Sequence, residues 1–245
     1  MRGVTHLALG VATTGGIIAL SPDIKPSLDL LLIGSVSSLA PDLDEPGSKL
    51  SRKLSIDVKY WKIGFIIASL GVIAYALYFF SGFDRVVYLS LGGFALIVGS
   101  TLKDQGFRQF SILFSGLVIL ALGFYYEYIW IYLLGFFISL SPFTTHRTWT
   151  HSLWALLLWF YIGFELEKSM DISGATITAT GGYLSHLLAD SITKTRVKWF
   201  FPISEKAYGF PFLSTGSEIG NHIEILITTA YIVMIVLLYF TGFRL

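Results

Sequence analysis

The sequence predicts an all-α membrane protein, a polytopic bundle of helices that crosses the bilayer several times. Two observations predict this class. Of the 245 residues, 54% are hydrophobic and only 13% are charged, whereas soluble domains carry about 25% charged residues. Apolar segments recur along the chain, and several approach the roughly 20 residues that a helix needs to cross the hydrocarbon core.

Nine apolar segments are predicted to form the helices of a single membrane-embedded domain, residues 1–245, with eight or nine of them crossing. Their order along the chain is 5–20, 28–40, 61–82, 86–102, 110–126, 129–141, 151–165, 174–190 and 222–241. Three of them, 28–40, 129–141 and 151–165, are short for a full span, and tilting, flanking residues or a re-entrant path would explain their length. The segment 174–190 is rich in small and polar residues, which indicates packing against protein rather than lipid.

Lys and Arg predict the orientation of these segments. If the N-terminus is cytoplasmic and all nine segments cross, 13 of the 17 basic residues fall on the cytoplasmic side. This distribution follows the positive-inside rule. We therefore expect a multi-pass protein of the inner (cytoplasmic) membrane, with the lipid bilayer as its surroundings. The net charge of +1 gives no indication of nucleic-acid binding.

The ionisable residues that carry chemistry converge on the same side. In this topology every histidine lies at a cytoplasmic end of a segment, together with three aspartates. These residues are His6, His146, His151, His186, His222, Asp42, Asp44 and Asp190. The topology was derived from Lys and Arg alone, so the convergence is an independent observation. It predicts a metal site at the cytoplasmic end of the bundle.

His186 and Asp190 are four residues apart, which places both on one face of a helix. This spacing suits two ligands of one metal ion, and a local hydrogen bond at a helix end is the alternative. Asp42 and Asp44 alternate in a proline-containing turn that could hold a divalent cation or simply be solvated.

His146 and His151 lie in the sequence SPFTTHRTWTHS. We expect His146 in a loop and His151 in a first helical turn, with Thr148 or Thr150 near the N-cap. Arg147 between them suits a phosphate or a carboxylate, although a polar interfacial loop would have the same composition.

Imidazole and carboxylate are ligands of zinc and manganese. The sequence has no cysteine, so thiolate sites are excluded. Seven candidate ligands exceed the needs of one ion, which favours two divalent ions, with zinc preferred and manganese as the alternative. The seven are His6, Asp42, Asp44, His146, His151, His186 and Asp190. Two such ions activate water and hold both oxygens of a phosphoester displacement. His222, Glu224 and Glu218 are weaker candidates, since a helix cap explains them equally well.

At these residues the sequence resembles the YdjM-type membrane-bound metal-dependent hydrolases, also described as LexA-regulated or LexA-binding. The resemblance rests on Thr5–His6, PDLD at 41–44, HRTWTHS at 146–152 and SHLLAD at 185–190, in order over nearly the whole chain. That family is distantly similar to the zinc phospholipase C and P1 nuclease group. The resemblance implies His6, Asp42, His146, His151, His186 and Asp190 as ligands or near neighbours, with Asp44 as a ligand or base.

Motifs of other enzyme classes are missing from the sequence, which has no G-x-S-x-G, no P-loop, no G-x-G-x-x-G and no H-E-x-x-H. The leading hypothesis is therefore a membrane metallohydrolase of a phosphoester or phospholipid, with Asp44 and Arg147 as catalytic residues. A divalent metal-ion transporter would hold its ligands near the bilayer midplane. A membrane protein with a structural metal is the third alternative, and its site would be closed rather than open.

Overall fold

The computed structural model describes residues 1–45, 48, 50–51, 57–101 and 103–241. The nine predicted apolar segments each correspond to an α-helix, and the described residues form no extended strand. The helices are α1 (Gly3–Leu20), α2 (Leu28–Ser37), α3 (Val58–Phe79), α4 (Gly82–Thr101), α5 (Asp104–Tyr125), α6 (Ile129–Leu140), α7 (Leu153–Met170), α8 (Ala175–Ser191) and α9 (Glu218–Thr241). Short 3₁₀ turns at Ala40–Asp44, Ser141–Phe143 and Trp149–His151 follow α2 and separate α6 from α7.

Five helices, α1, α3, α4, α5 and α9, are long and apolar enough to cross a membrane by length and composition. The helices α2 and α6 have 10 and 12 residues, so they are as short as the sequence predicts. The helix α7 has 18 residues, but Glu165, Glu167 and Lys168 lie in its last two turns. The prediction that all nine segments cross stays a prediction.

Helix α8 lies at the centre of the bundle, where α1, α2 and α7 pack around it. Its residues Thr178, Tyr183, His186 and Asp190 are buried. The expectation that this small and polar segment packs against protein is therefore confirmed. By contrast, α3 packs mainly on α4, and most of their large apolar side chains are exposed.

Glycines allow three backbones to approach closely beside the predicted site. A Cβ atom on Gly182 of α8 would lie 2.5 Å from the carbonyl oxygen of Gly34 in α2, and one on Gly34 would lie 1.9 Å from Thr14 Oγ1 in α1. Both distances are below van der Waals contact, so no side chain fits there. The contact sets the position of α2, and of the 3₁₀ turn that follows it, relative to α8.

A hydrophobic core between α6, α7 and α8 lies next to the polar end of the bundle. Phe137, Trp159 and Tyr183 are buried in it, and the rings of Trp159 and Tyr183 are 5.3 Å apart. The hydroxyl of Tyr183 donates to the backbone carbonyl of Thr150. This bond holds the 3₁₀ turn that contains His151 against Tyr183, which lies one helical turn before His186 in α8.

Candidate metal centre

Four parts of the chain meet at one end of the bundle: the start of α1, the 3₁₀ turn after α2, the turns before α7 and the end of α8. Because α1 and α2 run in opposite directions, as do α7 and α8, residues distant in sequence arrive at the same end. The side chains of His6, His151 and His186 are fully buried there, and Asp190 is 1% exposed. Ionisable groups are buried this completely only when they are paired or bind an ion.

Hydrogen bonds of the Nδ1 atoms orient three of the histidines. His186 Nδ1 lies 2.8 Å from the carbonyl oxygen of Ser38, and His146 Nδ1 lies 2.9 Å from Asp44 Oδ1. Thr150 Oγ1 donates to Asp44 Oδ2 at 2.5 Å and is 3.0 Å from His151 Nδ1. Since carbonyl and carboxylate oxygens only accept, His186 and His146 carry a proton on Nδ1. The Thr150 hydroxyl donates its proton to Asp44 and therefore accepts from Nδ1 of His151. In the neutral form of each ring, Nε2 is then the free acceptor that faces the site. Such partners are typical of metal-binding histidines.

The Nε2 atoms of His151 and His186 face each other across 3.3 Å. Asp42 Oδ1 lies 3.4 Å from His186 Nε2 and 3.8 Å from His151 Nε2. In the neutral form of both rings all three are acceptor atoms, and bound cations would offset their mutual repulsion. Zinc ligands at about 2.0–2.2 Å in tetrahedral geometry are separated by about 3.3–3.6 Å, which is close to the distances from Asp42 Oδ1 to the two rings.

Asp190 joins the same cluster from α8. Its Oδ1 lies 3.3 Å from His6 Nε2, and its Oδ2 lies 3.5 Å from His151 Nε2 and 3.8 Å from His186 Nε2. The last distance confirms that the four-residue spacing puts His186 and Asp190 on one face. The α-amino group of Met1 also contacts Asp190 Oδ1, at 2.6 Å.

Several polar atoms of the centre lack a hydrogen bond. Among the described residues, neither ring nitrogen of His6 nor Oδ2 of Asp190 has a hydrogen bond of acceptable geometry, although all three atoms are buried. The His6 ring instead stacks on the His186 ring, with centroids 3.6 Å apart. A buried polar atom without a hydrogen bond costs free energy, and a bound ion would satisfy the acceptor nitrogen of the His6 ring. The residues present therefore fit a metal.

The candidate ligands form two groups that share one residue. One group contains Asp42, His146, His151 and Asp190, and the other contains His6, Asp42 and His186. Within each group, one ligand atom per residue lies within 4.8 Å of all the others. The residue common to both groups is Asp42. The two groups offer only nitrogen and oxygen ligands, as zinc and manganese accept.

Electrostatics favour the ionised form of Asp42. Burial opposes its charge, but the charge and the hydrogen bond of His186 outweigh burial and hold the pKa of Asp42 well below its usual value. Burial lowers the pKa of His151, assisted by the charge of His186. The pKa of His146 is raised despite partial burial, because its hydrogen bond to Asp44 favours the imidazolium form. An ionised Asp42 beside a neutral His151 is the protonation state that a cation needs.

Within the described part of the chain, the centre is open on one side. A cavity of about 510 Å³ reaches Asp42 and His146, whose side chains are 13% and 35% exposed. Arg147, Thr195 and Thr215 form further parts of its wall. Small molecules or a lipid headgroup can reach the two exposed ligands from this cavity.

Arg147 lies at the wall of the cavity in an unusual backbone conformation, with φ at 65°. Its Nη2 lies 3.1 Å from Asp190 Oδ2, and its Nη1 donates to Thr193 Oγ1 at 2.7 Å. Few residues other than glycine adopt positive φ without cost. The turn directs the guanidinium towards the candidate ligand Asp190 rather than towards open solvent.

Asp44 does not belong to either ligand group. Its carboxylate accepts from His146 Nδ1 and Thr150 Oγ1 behind the histidines, and it is fully buried. The geometry therefore favours a supporting role over the ligand or base role that the sequence suggests. His151 lies in a 3₁₀ turn with Thr148 at its N-cap position, and the N-cap of α7 itself is Ser152.

The weaker candidates lie apart from the ligand groups. His222 is exposed and donates through Nδ1 to the carbonyl of Glu218 in its own helix. Glu224 is buried and accepts from the backbone N–H of Arg2 and the hydroxyl of Thr5, next to His6. Sequence reasoning did not find the supporting roles of Thr150, Tyr183 and Ser38. Thr150 is adjacent to His151, and Tyr183 is three residues before His186. This proximity in sequence to candidate ligands could have indicated their supporting roles.

A known protein family matches this chain over nearly its whole length. The family model described as YdjM inner membrane protein matches residues 1–244. The chain belongs to the YdjM family. The resemblance in the PDLD, HRTWTHS and SHLLAD sequences is thereby confirmed, and the chain is a membrane protein. No curated protein and no solved structure matches it.

In this YdjM family member the residues that carry the resemblance are those that gather in the structure. PDLD supplies Asp42 and Asp44, and SHLLAD supplies His186 and Asp190. The description of the family states a location and not a reaction. The similarity to the zinc phospholipase C and P1 nuclease group remains a prediction.

Proposed function

We propose that this YdjM family member is a membrane-embedded hydrolase that depends on two divalent metal ions and cleaves a phosphoester, with a phospholipid as the preferred class of substrate. Zinc is favoured, and manganese is the alternative. The observation that carries the proposal is the 3.3 Å separation of the Nε2 atoms of His151 and His186, with Asp42 beside both. Cations bound by these atoms would offset the repulsion between them, which supports the proposal.

The ligands divide between the two ions as the geometry groups them. Asp42, His146, His151 and Asp190 would hold one ion, and His6, Asp42 and His186 the other. A pair of divalent ions supplies a nucleophile from water at neutral pH and stabilises charge on both sides of the phosphorus. In this assignment Asp42 would be a ligand of both ions.

The remaining residues prepare the ligands and the substrate pocket. Asp44 keeps His146 and His151 in the tautomer that leaves Nε2 free. It accepts directly from Nδ1 of His146, and it accepts from the Thr150 hydroxyl, which in turn contacts Nδ1 of His151. Arg147 offsets the charge of Asp190 and lies at the cavity wall, where a phosphate would meet its guanidinium. Bidentate donors of this kind suit phosphate oxygens.

Two features favour hydrolysis over the alternatives. The candidate ligands lie at the ends of α1, α2 and α8 rather than at mid-helix, where a transport site at the bilayer midplane would lie. The centre also opens to a cavity through Asp42 and His146, whereas structural zinc sites are closed. A site at the end of the helices is at the level of phospholipid headgroups.

The test is phosphoester hydrolysis by detergent-purified protein, with mixed micelles of phospholipid and a soluble aryl phosphodiester as the two substrates. We expect turnover that is lost on chelation and restored by zinc or manganese. His186→Ala should lose turnover and His222→Ala should keep it, because the latter histidine is exposed and bonds only within its own helix. Metal-loaded protein that hydrolyses neither substrate class would contradict the proposal and would direct attention to ion uptake into vesicles.

A further inference from the structure

The segment 192–217, which links α8 to α9, has two different faces. Thr195 and Thr215 line the cavity of the metal centre. Val197 and Leu213 are buried, at 0% and 2% exposure. On the other face large apolar side chains are exposed, and we name them the apolar ledge: Phe200 (44%), Ile203 (77%), Phe210 (69%) and Phe212 (77%).

The apolar ledge is fixed to the helix that carries the metal ligands. The backbone N–H of Phe210 donates to the carbonyl of Ser191 at 2.8 Å, and that of Phe212 donates to Ile192 at 3.1 Å. Both acceptors follow Asp190 directly in the chain. The rings of Phe210 and Phe212 lie nearly parallel, with an interplanar angle of 21° and centroids 6.4 Å apart. The ledge therefore has a defined position beside the mouth of the cavity.

Basic residues accompany the apolar ledge. The segment contains Lys194, Arg196, Lys198 and Lys206, and one acidic residue, Glu205, which pairs with Lys198. Lys206 lies 5.4 Å from the centroid of the Tyr208 ring. Aromatic residues next to Lys and Arg are typical of chains at the boundary between headgroups and acyl chains, and anionic lipids attract the basic residues.

We propose that the segment 192–217 is an interfacial anchor, in which the apolar ledge inserts into the bilayer leaflet at the metal end of the bundle and the basic residues contact anionic headgroups. The occupant of this surface is the phospholipid leaflet itself. The segment connects the ends of two helices in a membrane protein, and its basic residues give it an excess of positive charge next to the apolar ledge. The anchor holds the mouth of the cavity against the headgroups. This inference does not require that the centre binds metal.

The experiment uses the absence of cysteine from the chain. Single-cysteine variants Ile203→Cys and Phe210→Cys carry a nitroxide label, and each leaves the other ledge residues in place. Glu205→Cys, in the same segment and with a 70% exposed side chain, is the water control. Leu70→Cys in α3, where Leu70 is 52% exposed, is the lipid control. The protein is reconstituted in nanodiscs with and without anionic phospholipid, and variants are accepted when they elute as the wild type does.

The measurement is the accessibility of each label to oxygen, which concentrates in the bilayer, and to a water-soluble nickel chelate. We expect labels at 203 and 210 to favour oxygen as the label at 70 does, with the label at 205 favouring the chelate. Anionic phospholipid should increase the preference at 203 and 210. Labels at 203 and 210 that behave like the one at 205 would overturn the proposal, and so would labels shielded from both reagents, as in contact with protein. An unchanged preference with anionic lipid would overturn the role of the basic residues.

Discussion

His151 and His186 direct their Nε2 atoms at each other across 3.3 Å, although each ring has its Nδ1 proton held by an oxygen. In the neutral rings both Nε2 atoms are acceptors that repel each other at this distance, and cations bound to them would remove that repulsion. The chain nevertheless brings the two residues together from different helices, 35 positions apart. This relationship is the simplest reason to regard the centre as a metal site.

Asp44→Asn tests the supporting role of Asp44. An amide cannot accept from both His146 and Thr150 through two oxygens, so both rings lose their fixed orientation. We expect metal affinity to fall by about 10–100-fold, as for other residues that support ligands. The measurement is competition with a fluorescent chelator. Glu45→Gln is the matched control, because Glu45 is half exposed and lies 3.9 Å from His146 Nε2. Complete loss of binding in Asp44→Asn would instead indicate a direct ligand.

Arg147→Lys separates catalysis from metal binding. Lysine keeps the charge near Asp190 but cannot also bond Thr193 and the carbonyl of Arg196, as the guanidinium does. We expect metal content close to that of the wild type and turnover lower by roughly 100-fold, the loss typical of a charge-stabilising donor. Elemental analysis and the phosphodiester assay on one preparation provide both values. Equal turnover in the two proteins would exclude a catalytic contribution from this residue.

Gly182→Val tests the link between helix packing and the metal centre. The new side chain would collide with the carbonyl of Gly34, which a Cβ atom already approaches to 2.5 Å. We expect α2 to move away from α8, with a stability loss of about 1–3 kcal/mol or more and weaker metal binding. Thermal unfolding and chelator competition measure these effects. Gly71→Ala in α3 has no atom within 4 Å of the new Cβ, so it should change neither. Unchanged metal affinity in Gly182→Val would show that the packing of α2 on α8 does not affect the metal site.

Cysteine labelling in sealed vesicles tests the topology. Ser48→Cys and Lys194→Cys should react from one side of the membrane, because both positions lie at the metal end. Lys168→Cys, near the far end of α7, should react from the other side. The reagent is a membrane-impermeant maleimide, applied before and after permeabilisation. Reaction of all three from one side would contradict the predicted crossing of α7 and α8.

Much of this fold follows from composition and periodicity. The positions of nine helices were predicted from apolar segments, because the bilayer imposes length and hydropathy on a spanning helix. The prediction that His6, Asp42, His151 and His186 lie close together followed from assigning each helix end to one side of the membrane. These are properties of single residues and their order, and the sequence contains them directly.

Contacts between distant residues were beyond the sequence. Asp44 contacts Thr150, whereas Asp42 lies next to His186, and this difference gives them different roles. Two alternating aspartates in one turn do not show from sequence which of them is the candidate ligand. Thr148, Thr150 and Ser152 are all good caps, so the sequence does not show that α7 begins after Ser152 and that His151 lies in a separate 3₁₀ turn. The bonds from Tyr183 to the carbonyl of Thr150 and from the Thr150 hydroxyl to Asp44 help to place that turn.

Metal content by mass spectrometry tests the central claim most directly. The samples are detergent-purified wild type and Asp42→Ala, both equilibrated with zinc or manganese and then freed of unbound ion, with His222→Ala as the control. Because Asp42 belongs to both ligand groups, the account predicts two ions per chain in the wild type and in the control, and loss of both in Asp42→Ala. A wild type that retains no ion, or an Asp42→Ala protein that retains both, would contradict a metal centre bridged by this residue.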